Sequence, residues 1–206
     1  MMDFVVEKIV EKWGGLVEGD RCFYNGNPIY LNNGLKFNYI FMPEQMVRYE
    51  ELSSSLGINI PSELKELYQK CNGFRLFLSS LTIYGLQNRE NEMEPYDLAI
   101  ENYNITARMK ANGRENKGYF FFGSYGRDYV FAYKDNAPNK VFCLKNGFDT
   151  IEMEFDSLQE LLEYFVPRLI AKYDEDCNKD CLYERFKQIP VLANAMHDLD
   201  EILEKR

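Results

Sequence analysis

The single histidine and one close pair of cysteines are the first residues to consider for catalysis or metal binding. His197 stands beside Asp198 and near Asp200 in a helical stretch. No serine or cysteine motif accompanies it to build a nucleophile–base triad, so we interpret it as a surface helix residue. Cys177 and Cys181 are four positions apart, but a structural zinc site needs four ligands. We predict two ordinary thiols and no metal there.

Two short motifs resemble parts of catalytic sites. Gly123-Ser-Tyr-Gly126 looks like half of a phosphate-binding loop, but strand-like segments flank it and the P-loop lysine is missing. We predict a hairpin turn instead. Glu63 and Lys65 have the spacing of carboxylate–lysine pairs in nucleases. Both fall on a predicted helix, where we expect them to be solvated.

Two pairs of carboxylates, Glu92/Glu94 and Glu152/Glu154, alternate along the chain. Alternation is typical of exposed acids on a strand or loop. General acid–base catalysis needs a pocket that shifts one pKa, and no pattern in the sequence indicates such a pocket. We therefore predict no catalytic residue and no cofactor, and an enzyme is the least favoured class.

The charge balance restricts the partners. Twenty-four basic residues against 33 acidic ones give a net charge of −9. Nucleic-acid binding draws its affinity from a cationic surface, so we expect no nucleic-acid partner. Acids concentrate between Thr150 and Glu184, where ten face only three basic residues. This stretch is either a solvated helix face or a surface that steers a basic partner.

Five stretches show the apolar spacing of helices, and proline, glycine or capping residues mark their ends. Pro167 inside the fourth stretch predicts a kink or an earlier end. The stretches are residues 3–13, Pro43 to Gly57, Pro61 to Asn72-Gly73, Ser157 to about Tyr173, and 182–203. Ser157 and Glu160 have the spacing of a capping box.

The segment from Gly118 to Glu154 predicts the main sheet. Its aromatic and aliphatic runs are separated by short turns, so successive strands must be antiparallel neighbours. Further strands are predicted near residues 22–24, 29–31 and 35–40 and at Leu81–Leu86. The fold class is therefore α+β, with a mostly antiparallel sheet and flanking helices. The aromatic run beginning at Tyr119 favours a sheet core together with a tyrosine-rich exposed face.

Chain length and cysteine content indicate the number of domains and the cellular compartment. A chain of 206 residues suits one domain with additional elements. It has no apolar run long enough to span a bilayer, and its N-terminus lacks the features of a signal peptide. Five scattered cysteines are typical of reduced thiols in a cytosol. We expect a cytoplasmic protein without a membrane partner.

The order of these elements resembles the SUKH superfamily, the SMI/KNR-type cell-wall assembly regulators. An aliphatic-proline pair, Ile60-Pro61, opens a helix that closes on Asn72-Gly73. The strand with Tyr84-Gly85-Leu86 follows in the family order, and so does the glycine turn before Asp128. The segment 155–162 resembles the family's last helix. One departure is Arg127, where the family has glycine.

The resemblance implies one SUKH-like domain over residues 43–173. Residues 1–42 would be an N-terminal extension packed on the core, and 174–206 a C-terminal helical extension. It also implies protein binding without catalysis. Many bacterial SUKH proteins are immunity proteins that neutralise toxins, often nucleases. Eukaryotic relatives look like regulatory scaffolds.

We therefore favour an immunity protein that blocks a basic cognate toxin sterically and electrostatically, with a regulatory scaffold for a cellular partner as the alternative. Exposed tyrosines beside acids would suit such an interface, because tyrosine buries a large area at low entropic cost. The predicted protein-binding residues are Tyr84, Glu92, Glu94, Asp97, Glu101, Tyr125, Asp128, Glu152 and Glu154.

Overall fold

The computed structural model is an α+β protein built on one antiparallel sheet, as the sequence predicts. It describes residues 1–19, 22–25, 38–43, 46–56, 59–77, 79–86, 104, 118–126, 128–145 and 150–175. The predicted segments 29–31 and 182–203 lie outside these ranges.

Nine strands of the described chain follow one another across the sheet in sequence order, each antiparallel to the next. Each strand pairs with the one just completed, even where long segments separate β3 from β4 and β5 from β6. The strands are β1 (Val17–Gly19), β2 (Cys22–Asn25), β3 (Asn38–Phe41), β4 (Phe74–Leu76), β5 (Leu81–Ile83), β6 (Tyr119–Tyr125), β7 (Tyr129–Lys134), β8 (Ala137–Lys145) and β9 (Ile151–Phe155).

Four helices lie within the described ranges: α1 (Met2–Trp13), α2 (Met46–Leu56), α3 (Ser62–Tyr68) and α4 (Leu158–Glu175). Their apolar residues form the main core with the inner face of the sheet. Val5 and Ile9 of α1 and Leu161 of α4 are fully buried there. Helix α4 continues past Pro167 to Glu175, so the expected early end is wrong. Pro167 is exposed, which keeps its ring out of the packed core.

The outer face of β6, β7 and β8 carries a second, smaller apolar cluster. Its members are Tyr119, Phe121, Val130, Ala132, Phe142 and Leu144. Where β5 stops pairing with β6, the side-chain amide of Asn104 bonds both backbone groups of Phe121, at 2.8 and 2.9 Å. A side chain thus continues the hydrogen bonding that a strand would supply. Strand β6 runs through Gly123 to Tyr125, so the turn predicted to begin at Gly123 starts later.

Asn72 connects the helices to the sheet. Its Nδ2 donates to the Leu86 carbonyl at 3.0 Å, and its Oδ1 accepts from the Leu86 N–H at 2.7 Å and from the Tyr49 hydroxyl. Its backbone N–H donates to the carbonyl of Phe41 in β3. Buried polar groups are costly unless they are paired, and here the contacts join Asn72 to α2, to β3 and to the segment that follows β5.

Two glycines make this approach possible. Gly73 has φ +78°, the left-handed conformation predicted for it, and a Cβ there would lie 2.4 Å from the Ile83 carbonyl oxygen. Helix α3 itself ends at Tyr68, so the predicted helix end at Asn72-Gly73 is wrong. A Cβ on Gly85 would lie 2.0 Å from the carbonyl oxygen of Asn72. The backbone therefore passes where no side chain fits.

We expect Asn72→Ala to lower the free energy of unfolding by about 3 kcal/mol, because Leu86 and Tyr49 lose their buried partners. Tyr49→Phe removes one of these hydrogen bonds and should cost about 1 kcal/mol. Urea unfolding monitored by circular dichroism measures both values. Equal effects of the two substitutions would show that the amide does not join the elements.

Cys71 generates a prediction about alkaline pH. Burial raises the pKa of its thiol from 9.0 to about 12. The unfolded chain therefore releases this proton from about pH 9, whereas the folded chain holds it until about pH 12, and stability falls between these values. From pH 8 to pH 10.5 the protein should lose about 2 kcal/mol more than the Cys71→Ala variant. Urea titrations at both pH values test this, and parallel losses would contradict it.

Candidate functional site

Four exposed acidic residues lie where the last strand of the described sheet leads into α4. Glu152 and Glu154 lie on β9, Asp156 follows the strand, and Glu160 is in the first turn of α4. All four side chains are exposed. We call these four residues the acidic edge, because β9 is the last strand of the described sheet.

Local hydrogen bonds fix the C-terminal half of the acidic edge. The Ser157 hydroxyl accepts from the Glu160 N–H at 3.0 Å, and the Glu160 carboxylate accepts from the Asp156 N–H at 2.6 Å. The first bond is the Ser157 half of the predicted capping box, whereas the Glu160 carboxylate reaches one residue further back, to Asp156 instead of Ser157. The carboxylate of Glu160 is also favourably placed at the positive end of the helix dipole. The two acids are therefore held by the start of α4.

A carboxylate distant in sequence holds the same helix start. Glu63 of α3 accepts from the Leu158 N–H at 2.8 Å and from the Tyr133 hydroxyl at 3.1 Å. The side chain of Glu63 was expected to be solvated beside Lys65. That expectation is wrong for Glu63, which is half-buried between α3, β7 and α4. Its contacts are structural.

The environment of Tyr133 favours the neutral phenol. Burial, followed by the adjacent Glu63 carboxylate, raises the pKa of Tyr133 above its ordinary value. The hydroxyl therefore remains a donor to Glu63. The contacts of Glu63 with Tyr133 and with the Leu158 N–H join β7 to α4, the helix that carries Glu160.

The acidic edge keeps an excess of negative charge. Lys140 of β8 lies 3.3 Å from Glu154 and 3.9 Å from Asp156. One ammonium opposes four carboxylates, which leaves a net of three negative charges on these five residues. Exposed ion pairs contribute little to stability, but their summed field guides an approaching cation.

The tyrosines predicted for the interface are mostly buried. Tyr84 is 3% exposed, and its carbonyl accepts from the Tyr68 hydroxyl at 2.8 Å. Its expected exposure is therefore wrong. Tyr125 is partly buried, with its ring 4.6 Å from that of Phe165. Tyr119 is 5% exposed, so the tyrosine-rich exposed face is not formed there either. These rings are buried in the core of the sheet because aromatic side chains remove large apolar areas from water.

The predicted acids have a different outcome. Asp128, Glu152 and Glu154 are exposed, as expected. Asp128 lies in the β6–β7 turn, away from the β9–α4 junction that carries the acidic edge. Binding by these residues stays a prediction. The other predicted acids, Glu92, Glu94, Asp97 and Glu101, lie outside the described residues.

Two members of the acidic edge, Asp156 and Glu160, were missing from the predicted site. Both stand in the acidic stretch after Thr150, and the capping box placed Glu160 at the helix start. Combining these two signals would have found them. A strand–helix junction brings Glu160 next to the end of β9, and this proximity is not visible in the spacing alone.

Carboxylates at fixed positions can accept hydrogen bonds from lysine and arginine side chains. Within the described ranges, no three histidine, cysteine or acidic side chains form a group that could hold a metal ion. His197, Cys177 and Cys181 lie outside those ranges. The described helices include none with the length and apolar character needed to cross a membrane.

Comparison with protein families gives one match. The model of the SMI1/KNR4 family (SUKH-1) matches residues 47–164, which run from α2 into α4 and include β9. The search of curated proteins finds no similar protein.

We expect Glu63→Ala to lower the free energy of unfolding by about 2 kcal/mol, because the Leu158 N–H and the Tyr133 hydroxyl lose a charged acceptor. Glu66→Ala, an exposed substitution on the same helix, should change it by less than about 0.5 kcal/mol. Chemical unfolding compares the two variants. Equal effects would mean that Glu63 does not hold the start of α4.

Proposed function

Because the chain belongs to the SMI1/KNR4 family (SUKH-1), we propose that it is an immunity protein that neutralises a bacterial toxin by binding it. The partner is a basic protein, with a toxin nuclease as the favoured class. The mechanism is occlusion of the toxin's active site and involves no bond-making chemistry. The acidic edge is the contact surface that we assign to this role.

The observation that carries the mechanism is the fixed geometry of the acidic edge. Its carboxylates are exposed, while the backbone beneath them belongs to a paired strand and a capped helix. Little backbone freedom is lost when a partner binds such a surface, which lowers the cost of association. A nuclease must present cations to a phosphate backbone, so its active-site face has the complementary charge.

Electrostatics of this kind acts mainly on the association rate. Complementary fields raise the rate of encounter, and salt weakens this effect. An immunity protein benefits because the toxin has to be captured before it reaches its substrate. The net charge of −9 extends the attraction beyond the acidic edge.

A regulatory scaffold that binds a cellular partner is the second candidate. It is favoured by the described architecture outside the matched residues, where α1 and β1–β3 widen the sheet. Helix α1 is packed on the domain and does not extend away from it, because Val5 and Ile9 belong to the main core. The identity of the bound protein separates the two functions.

The test is co-expression with the products of the neighbouring genes. We expect a basic protein from an adjacent gene to co-purify with this chain and to lose its toxicity. The double charge reversal Glu152→Lys/Glu154→Lys should weaken the complex by about 10- to 100-fold, mainly through slower association. Surface plasmon resonance at low and high salt measures both rates.

Glu50→Lys/Glu66→Lys is the matched control, because it makes the same charge change on exposed positions of α2 and α3. An equal loss of binding in both variants would show that the overall net charge alone governs binding. That result would refute the assigned surface. Failure of every adjacent gene product to bind would refute the immunity role. Capture of a non-toxin cellular protein would instead support the scaffold.

A further inference from the structure

Strand β9 has one hydrogen-bonded neighbour among the described strands. It pairs with β8 through four residue pairs, from Val141–Phe155 to Leu144–Ile151. In any antiparallel edge strand, about half of the backbone N–H and C=O groups point away from the sheet. Such an edge can accept a further strand, and this is a recurrent way of binding extended peptides.

The side chains of β9 leave this edge accessible. Phe155 is part of the main core, and Met153 packs against the main core. Ile151 is 41% exposed, and Glu152 and Glu154 are exposed as well. A register shift in the pairing with β8 lies beside Glu152. An incoming strand would therefore meet one apolar contact and two carboxylates.

The C-terminal end of this edge is closed by the protein itself. The Asp156 N–H is already bonded to Glu160, and α4 begins two residues later. Within the described part of the chain, the edge without a strand partner thus spans the five residues of β9. Five residues suit a short extended segment of a partner.

The negative charge of Glu152 and Glu154 determines which kind of strand can pair with β9. The protein carries −9 overall, so the edge of a second copy would bring further negative charge against Glu152 and Glu154. Like charges beside each other oppose pairing, whereas opposite charges on paired strands favour it. The occupant is therefore a cationic strand with lysine or arginine at alternate positions.

We propose that β9 binds an extended basic segment of the partner as a tenth strand next to the described sheet. This rests on the proposed function for the identity of the partner. Backbone hydrogen bonds to β9 supply affinity, and Glu152 and Glu154 select lysine or arginine. In the complex, the sheet of this protein would continue into the bound segment of the partner. The protein would thereby cover the partner's active site.

The test uses the full chain and a synthetic nine-residue peptide of alternating lysine and valine. A second peptide has the same sequence with an N-methyl group on every residue, which keeps its charge and removes all of its backbone donors. A third carries glutamate in place of lysine. We expect the first peptide to bind and to slow amide hydrogen exchange in residues 151–155. N-methylation should weaken binding at least 10-fold, and the glutamate peptide should not bind.

The Glu152→Lys/Glu154→Lys variant should lose the lysine peptide, while Glu50→Lys/Glu66→Lys should keep it. Unfolding transitions of both variants confirm that they are folded. Equal binding of the methylated and unmethylated peptides would overturn strand addition and leave the proposed charge-guided blockade intact. Peptide binding without any toxin among the neighbouring gene products would refute the proposed function and leave strand addition standing. Absence of peptide binding would overturn the inference.

Discussion

The rest of the structure depends on one buried amide, the side chain of Asn72. It bonds Tyr49 of α2 and both backbone groups of Leu86, while its own N–H bonds the strand β3. An amide is suited to this because it donates and accepts at once, and in a dry environment each bond is costly to leave unmade. The close approach of the chain at Gly73 and Gly85 follows from this constraint.

The constraint extends from the core to the surface through α3. This helix ends at Tyr68, whose hydroxyl holds the Tyr84 carbonyl, and it begins beside Glu63, which holds the start of α4. The acidic edge is therefore positioned by contacts between residues about 95 positions apart in sequence. Such contacts resist displacement because interiors are packed closely and do not deform continuously. This explains how an exposed group such as Glu160 can have a fixed position.

The sequence predicts the parts of this arrangement that depend on local chemistry. The left-handed backbone at Gly73, the hydroxyl cap at Ser157 and the long strands after Gly118 all have local causes, and all are confirmed. Helix α3, however, ends at Tyr68, before the predicted exit at Asn72-Gly73. Strands β1 and β4 were missed because three residues carry no detectable period, and only pairing with neighbouring strands makes them strands. The burial of Tyr84 and the role of Glu63 were missed for the same reason. Both are set by neighbours that spacing along the chain does not show.

An exposed sheet edge presents a conflict that explains the composition of β9. Unpaired backbone groups promote aggregation, and proteins protect such edges with short strands, irregular pairing and charge. Strand β9 has all three: five residues, a register shift beside Glu152, and two exposed carboxylates. Protection by charge is selective, however, since it repels acidic strands, including those of other copies of this protein, and attracts basic ones. In the proposed complex, the carboxylates that repel other acidic strands would therefore also select a basic partner, so that one set of side chains would meet both requirements.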